Sequence, residues 1–484
     1  MKKTTFYILA ATAIISSGCK KYLEQSPDQR TQLNTVEKVA ELLATAYPQA
    51  DYATFTEAAS DNAADKGTGG FISDPTNTNP FFFRDVLERT QGTPTNYWNA
   101  CYQSIAACNQ ALEAIAKADN PADYNAQKGE ALVARAYNHF MLVTLYSKVY
   151  DAATASQDPG IPYVTVPEKV VNGKYDRKTV AYVYEQIEKD LLAGMPLIDN
   201  NAYKVPKYHF NKAATNAFAA RFYLFKKDYQ KVLTYANNVF PGGNFKNNLR
   251  PWVTVYSQLT GTEAEAIYTK ASETANLLLV EAPSDWARNV ASFRYGLRTD
   301  LVYSLFIYPN VTTATWVQPL YYRGSTENWV VLKFREHFVR SSANADIGVP
   351  YTIFPLFTAE EALFNRVEAN IYLGNLTAAK NDLNDYASMR IEDYTSNYRL
   401  SDARLRNFYG TPDLKTALIY TLLDFKQAEF IQEGMRWFDI LRYDIPVTHT
   451  SVGGETETLT PGDKRRLFQL PQEVVLAGIQ QNPR

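Results

Sequence analysis

The sequence predicts a mainly α-helical protein: a scaffold of tetratricopeptide-like helix pairs interrupted by one irregular, loop-rich insert. Three observations lead there. Long segments repeat apolar residues every three or four positions, two stretches read as helix–turn–helix pairs with small residues at interlocking positions, and the region from about Pro241 to Pro355 loses that period.

Each helical segment carries its own signal. The first helix starts near Thr35. "YWNACYQSIAACNQALEAIAKA" places Trp98, Tyr102, Ile105, Leu112 and Ile115 on one stripe. "KGEALVARAYNHFMLVTLYSKV" does the same with Leu132, Ala136, Phe140, Val143 and Leu145. In "TVAYVYEQIEKDLLAGM" the stripe is Val180, Val183, Tyr184, Ile187 and Leu191, and Gly194 and Pro196 mark its end. "NKAATNAFAARFYLFKKDYQKVLTYANNVFPGG" turns at Lys226 to Asp228, and "EALFNRVEANIYLGNLTAAKNDLNDYASMR" turns at Gly374 and Asn375. Such pairs cannot bury their faces alone and must stack on neighbours. The insert between them is rich in Gly, Pro, Asn, Thr and aromatics. Its short apolar runs "EAIYTKA", "NLLLVEA" and "WVVLKF" read as extended pieces, and a second irregular stretch, "DKGTGGFISDPTNTNPFFFRD", lies earlier. Long loops in a compact domain usually carry function.

The N-terminus reads as an export signal over residues 1–18. Lys2 and Lys3 precede an apolar run from Phe6 to Ile15, which is too short to span a bilayer, and Ser16, Ser17 and Gly18 lead to Cys19. The small residues before the cysteine resemble a bacterial lipobox, with Ser16 where leucine is usual, and imply lipidation of Cys19. Residues 19–34 read as a tether and 35–484 as a single domain. Cys101 and Cys108 would lie roughly 10 Å apart along one helix, too far for a disulfide, so both read as buried thiols.

Bulk composition narrows the function classes. Lys and Arg total 49 against 51 Asp and Glu, a net charge of -2, so no basic excess recruits nucleic acid. No nucleophile elbow, Walker loop, dinucleotide fingerprint or HExxH occurs, and no cofactor is expected. "GTGG" at Gly67 to Gly70 lacks the Lys and Ser/Thr of a phosphate cradle. The four histidines are scattered, with His139 on a helix–helix stripe as a core residue, so no metal centre is read from them. Asp61 and Asp65 lack EF-hand register and leave calcium open.

The densest charge lies in "EFIQEGMRWFDILRY", Glu429 to Tyr443. Phe425, Ala428, Ile431, Met435, Phe438 and Leu441 form one helical stripe, with Glu433–Arg436 and Asp439–Arg442 as i,i+3 pairs. Glu429 and Asp439 would stand roughly 15 Å apart, too far for paired glycosidase carboxylates. Gly434 inside a helix costs stability, which close approach by another backbone would offset. The stretch reads as architecture.

The same residues resemble the C-terminal signature of the SusD/RagB family of outer-membrane nutrient-binding lipoproteins, E-x-x-x-E-G-x-R-W-F-D-L-x-R. Further matches follow in the family's order: "CKKYLEQSP", "GEALVARAYNHFMLVTLY", "EQIEKDLLAGMPLI", "KAATNAFAARFYL", "EALFNRVEANIYLGN" and "FQLPQEVVLAGIQQNP". The resemblance implies a helical scaffold of four tetratricopeptide-like pairs with an irregular ligand-binding region. It also implies a non-enzymatic, lipid-anchored outer-membrane protein facing the exterior, which binds oligosaccharides or peptides and passes them to a SusC-like TonB-dependent transporter. Two other classes compete: an exported glycoside hydrolase on helical pairs, and a ligand-free envelope scaffold.

A sugar site should combine exposed aromatic rings with Asn, Asp, Arg and Gln on loops held by rigid helices. Trp98 and Trp437 sit on stripes and read as core. Trp286, Trp316, Tyr321 and Tyr322 in the insert, and Phe81 and Phe82 in the early loop, are the candidate ligand contacts. Trp329 opens an apolar run and reads equally as a buried strand residue.

Overall fold

The computed structural model describes residues 33–484 except 70, 171–172, 308–309, 319 and 323–326, with 320–322 as backbone. Cys19, and with it the signal and most of the tether, lies outside the described residues. The helices are α1 (Val36–Leu43), α2 (Ala53–Ala59), α3 (Pro75–Phe81), α4 (Pro94–Lys117), α5 (Asn125–Tyr146), α6 (Val180–Gly194), α7 (Lys212–Phe225) and α8 (Tyr229–Val239). After α9 (Gly261–Tyr268) in the insert come α10 (Ala359–Tyr372), α11 (Leu376–Ser388), α12 (Asp402–Tyr409), α13 (Leu414–Glu429) and α14 (Arg436–Tyr443).

Local chemistry sets the boundaries. The Thr35 side chain accepts from Lys38 N–H to cap α1, Thr93 caps α4 and Thr179 caps α6. The α7–α8 turn falls at Lys226 to Asp228, where Asp228 caps α8, and α10 gives way to α11 through Gly374 at φ +83°. Successive helices pair as the stripes require: α4 on α5, α5 on α6, α7 on α8, α8 on α10, α10 on α11. Phe140, Phe218, Phe222, Phe364, Phe425 and Trp437 are buried along that stack, each contributing on the order of 2–3 kcal/mol. Buried ion pairs cross it, with Arg135 bidentate on Asp190 between α5 and α6, and Arg221 bidentate on Glu361 between α7 and α10. His139 is a core residue. Its ring bonds Arg135 O and Val164 N–H, and burial pushes its pKa down to about 3.

The insert has its own small sheet, with β2 (Asn276–Pro283), β7 (Gly348–Thr358) and β6 (Glu336–Arg340) antiparallel in the order β2-β7-β6. Two short pairs accompany it: β1 (Ala64–Asp65) with β3 (Tyr295–Gly296), and β4 (Leu320–Tyr322) with β5 (Trp329–Val331). "NLLLVEA" and the start of "WVVLKF" are strands as expected. "EAIYTKA" is not: most of it belongs to α9. A capping box just upstream decides this, with Thr260 accepting from Glu263 N–H while the Glu263 carboxylate accepts from Thr260 N–H.

The charged C-terminal stretch also departs from the single helix expected. α13 ends at Glu429, a tight non-helical segment follows, and α14 begins at Arg436. Gln432 and Gly434 both adopt positive φ there. The expected Glu433–Arg436 pair does not form. Glu433 instead takes Lys333 at 2.7 Å, and Arg436 grips Asp61 with two bonds of 2.8 Å. Asp439 pairs with Lys426 at 2.5 Å and, more loosely, with Arg442 at 3.4 Å. Glu429 is buried against Arg390, and Arg442 against Glu368. Each of these groups holds a partner in another element, which is an architectural role.

Glu57 of α2 organises the segment. Its carboxylate accepts from Gln432 N–H, Gly434 N–H and the Asn62 amide. Burial nevertheless pushes its pKa up to about 7. Because the unfolded chain releases this proton near the ordinary value of 4.5, the native state binds more protons between those pH values, and stability falls as pH rises from about 4.5 to about 7. In melting curves across that window, Glu57→Gln is expected to show a weaker fall in Tm than the unsubstituted protein. Parallel curves would mean that Glu57 does not titrate there.

Candidate ligand-binding surface

β1 and β3 bring the early irregular loop and the insert together. Asp65 pairs with Tyr295 in register, and Ile72 bridges Phe293 a few residues on. Segments more than 200 residues apart in sequence thus share one surface, held by polar contacts. Asp65 accepts two bonds from Arg294, at 2.8 and 2.7 Å, and one each from Gly67 and Val452 N–H. Burial opposes its charge, but these donors prevail and hold the carboxyl below its usual range. Asp65 is thus committed to Arg294 and Asp61 to Arg436. Among the described residues no His, Cys, Asp and Glu cluster has metal-site geometry.

Beside Asp65, burial pushes the Lys66 pKa down to about 7. Its ammonium donates to Ala291 O and Asn328 Oδ1 and lies 4.6 Å from the centre of the Phe71 ring. Arg298 spans Asp65 O and the Asp300 carboxylate. The half-buried Trp329 donates its indole N–H to Thr299 Oγ1, and Tyr303 is half exposed. This surface offers Arg298, Asp300 and partly open rings on loops clamped to the scaffold, with Asp65 and Asn328 buried beneath it.

The same loops lead to a cavity of about 160 Å³ where Ser304, Leu305, Asn310 and Val311 meet α13, lined also by Trp316, Asp424, Phe425 and Gln427. A second concavity, about 180 Å³, lies between α4, the loop around Val164 and the C-terminal tail, lined by Trp98, Tyr102, Ile105, Val166 and Tyr175. It is apolar, and the Tyr102 hydroxyl is already spent on Pro162 O, so it offers sugar hydroxyls little.

The expected exposed rings are mostly core, which corrects that expectation. Trp286 is 3% exposed and donates its N–H to Gln432 O. Phe81 and Phe82 are buried, with Phe81 stacked against Tyr295 and His449. Trp316 is 5% exposed, edge-on to Phe425, with its N–H on Thr312 Oγ1, although its surface lines the cavity. The physical reason is shared. The insert has little regular structure, so Trp286 and Trp316 pack into the scaffold's core, where both indole N–H groups find acceptors. Tyr321 and Tyr322 lie in β4 opposite Val330 and Trp329, with side chains outside the described residues. Sequence reasoning missed Arg298, Asp424 and Gln427. The latter two sit on a scaffold helix, where spacing reads them as ordinary exposed polar positions.

Residues 21–224 match a family model, SusD-like_3, described as "Starch-binding associating with outer membrane". The fold is SusD-like. Solved structures agree with the fold across nearly its whole length. A SusD-like carbohydrate binding protein from Bacteroides vulgatus superposes with a TM-score of 0.64 at 18% identity, covering 92% of this chain and 96% of the other. A SusD superfamily protein from the same species gives 0.67 at 16%, covering 93% and 99%. One from Bacteroides thetaiotaomicron gives 0.62 at 17%, covering 93% and 100%. No curated protein matches in sequence. At these identities the structures establish the SusD-like fold of helical pairs with an irregular insert.

Proposed function

We propose that the protein is a non-catalytic outer-membrane lipoprotein, anchored through Cys19 and facing outward, that captures oligosaccharides. It delivers them to a SusC-like TonB-dependent transporter. The match of residues 21–224 to a starch-binding, outer-membrane-associated family carries the reading. The loop surface around Arg298, Asp300 and Trp329 is its proposed site, since it sets hydroxyl-binding groups beside partly open rings on a rigid frame. The charge pattern supports binding over hydrolysis. A glycosidase needs two carboxylates facing each other across the substrate. Here Asp61, Asp65 and Asp300 are each bound by an arginine.

Incubating the purified protein with labelled oligosaccharides tests the reading. Retention of intact sugar is the expected result. Cleaved sugar would restore the hydrolase, binding of peptides alone would move the ligand class, and retention of neither would leave the ligand-free scaffold.

A further inference from the structure

We propose that the cavity between Trp316 and Asp424 is a subsite for one ring of a neutral oligosaccharide, and that it discriminates against acidic sugars. The inference rests on the sugar-binding reading and specifies its ligand. At about 160 Å³ the cavity suits a single sugar ring, not a whole oligomer. Its floor is apolar: Trp316, Phe425 and Val311 are buried there, the surface that the C–H face of a pyranose requires.

The mouth decides the chemistry. Asp424 is exposed on α13, and one carboxylate oxygen, Oδ2, accepts from the Tyr409 hydroxyl at 2.7 Å. Among the described residues no donor bonds Oδ1 and no cation pairs with the group. This sets it apart from Asp61, Asp65 and Asp300 on the adjoining surface. Gln427, which lines the cavity, donates one amide N–H to Asn62 Oδ1 at 3.0 Å and keeps its second N–H and its carbonyl oxygen. Ser304 donates its hydroxyl proton to Leu301 O and keeps its lone pairs. Asn310 donates one of its two amide N–H groups to Ala314 O, and its carbonyl oxygen accepts from Thr312. The mouth therefore keeps amide donors as well as acceptors, and the one charged side chain among its lining residues is the Asp424 carboxylate. A neutral sugar supplies hydroxyl donors to match. A uronate or sulfate supplies acceptors and a like charge.

The test uses the full-length protein and two matched panels on one calorimeter: neutral gluco- and galacto-oligosaccharides, and oligoglucuronates and oligogalacturonates of equal length. The unsubstituted protein should bind a neutral member at least tenfold more tightly than its uronate counterpart. Asp424→Ala should weaken neutral binding about tenfold, the value of a charge-assisted hydrogen bond. Asp424→Asn, which restores a donor, should narrow the gap between the panels. Asp424→Asn, whose amide oxygen can still accept from Tyr409, should keep the parent Tm. Unchanged neutral affinity in Asp424→Ala, or uronates bound as tightly as neutral sugars by the unsubstituted protein, would overturn the subsite and leave the sugar-binding reading standing. Binding of neither panel would remove both.

Discussion

Gly434→Ala is expected to destabilise the protein by about 3 kcal/mol or more, among the largest effects of any single methyl in this chain. Two costs add. Gly434 has φ +74°, where an L-residue pays roughly 1–2 kcal/mol. Its Cβ would also stand 2.8 Å from the Cα of Ala53 and closer still to the Thr56 hydroxyl. Ala53 and Thr56 belong to α2, whose backbone cannot retreat without disturbing Glu57 and its bonds to Gln432 and Gly434. Overpacking of that kind costs about 1–3 kcal/mol. Urea unfolding should show a lower midpoint with an unchanged slope. A loss under about 1 kcal/mol would mean that the contact with α2 is loose and the glycine is there for the turn alone.

That glycine also shows how far the sequence could be read. Close approach by another backbone follows from a glycine amid large residues, and α2 supplies that backbone. The helix drawn through it was wrong, because the 3.6-residue stripe continues across Phe430 to Met435 while the chain does not stay helical. Periodicity records which residues face the core, and a tight turn between two helices can keep them facing it. The expected Glu433–Arg436 pair failed for a related reason. Glu433 and Arg436 are neighbours in sequence, yet each pairs with a group from a distant segment, Lys333 and Asp61, which no local rule can supply. Helix pairs such as α7–α8 were legible to the residue because their signals are local: stripe, turn and cap. The ligand surface was not. An exposed tryptophan and a buried one look alike in an aromatic-rich loop, so Trp286 and Trp316 were read as facing out. The join of early loop to insert depends on β1 and β3, which have two residues each and no pattern to find.

Lys333→Met carries the other large expected effect, a loss of about 3–5 kcal/mol, the range for stranding one member of a buried pair. The side chain is 1% exposed, and its ammonium donates to Glu429 O at 2.6 Å, Ile431 O at 3.0 Å and Glu433 Oε1 at 2.7 Å. One cation from the insert thus satisfies two carbonyls where α13 ends, groups that a helix terminus leaves without intrahelical donors, and neutralises a carboxylate that Tyr268 alone would then hold. Burial holds the lysine pKa below its usual value, and Glu433 acts against that shift. Methionine has similar length and no charge, which leaves packing nearly intact and isolates the electrostatic loss. A second substitution separates the terms. In Lys333→Met with Glu433→Gln the buried charge is gone, so the double variant should recover at least 1 kcal/mol of the single variant's loss. The carbonyls of Glu429 and Ile431 stay unserved and keep it below the parent. Ligand affinity should fall in the single variant as well, because Lys333 continues the segment that holds Trp329 at the loop surface. If denaturant midpoints place Lys333→Met within 1 kcal/mol of the parent, the insert is not tied to the scaffold through this lysine. The loops would then have to be positioned by β2 and β7.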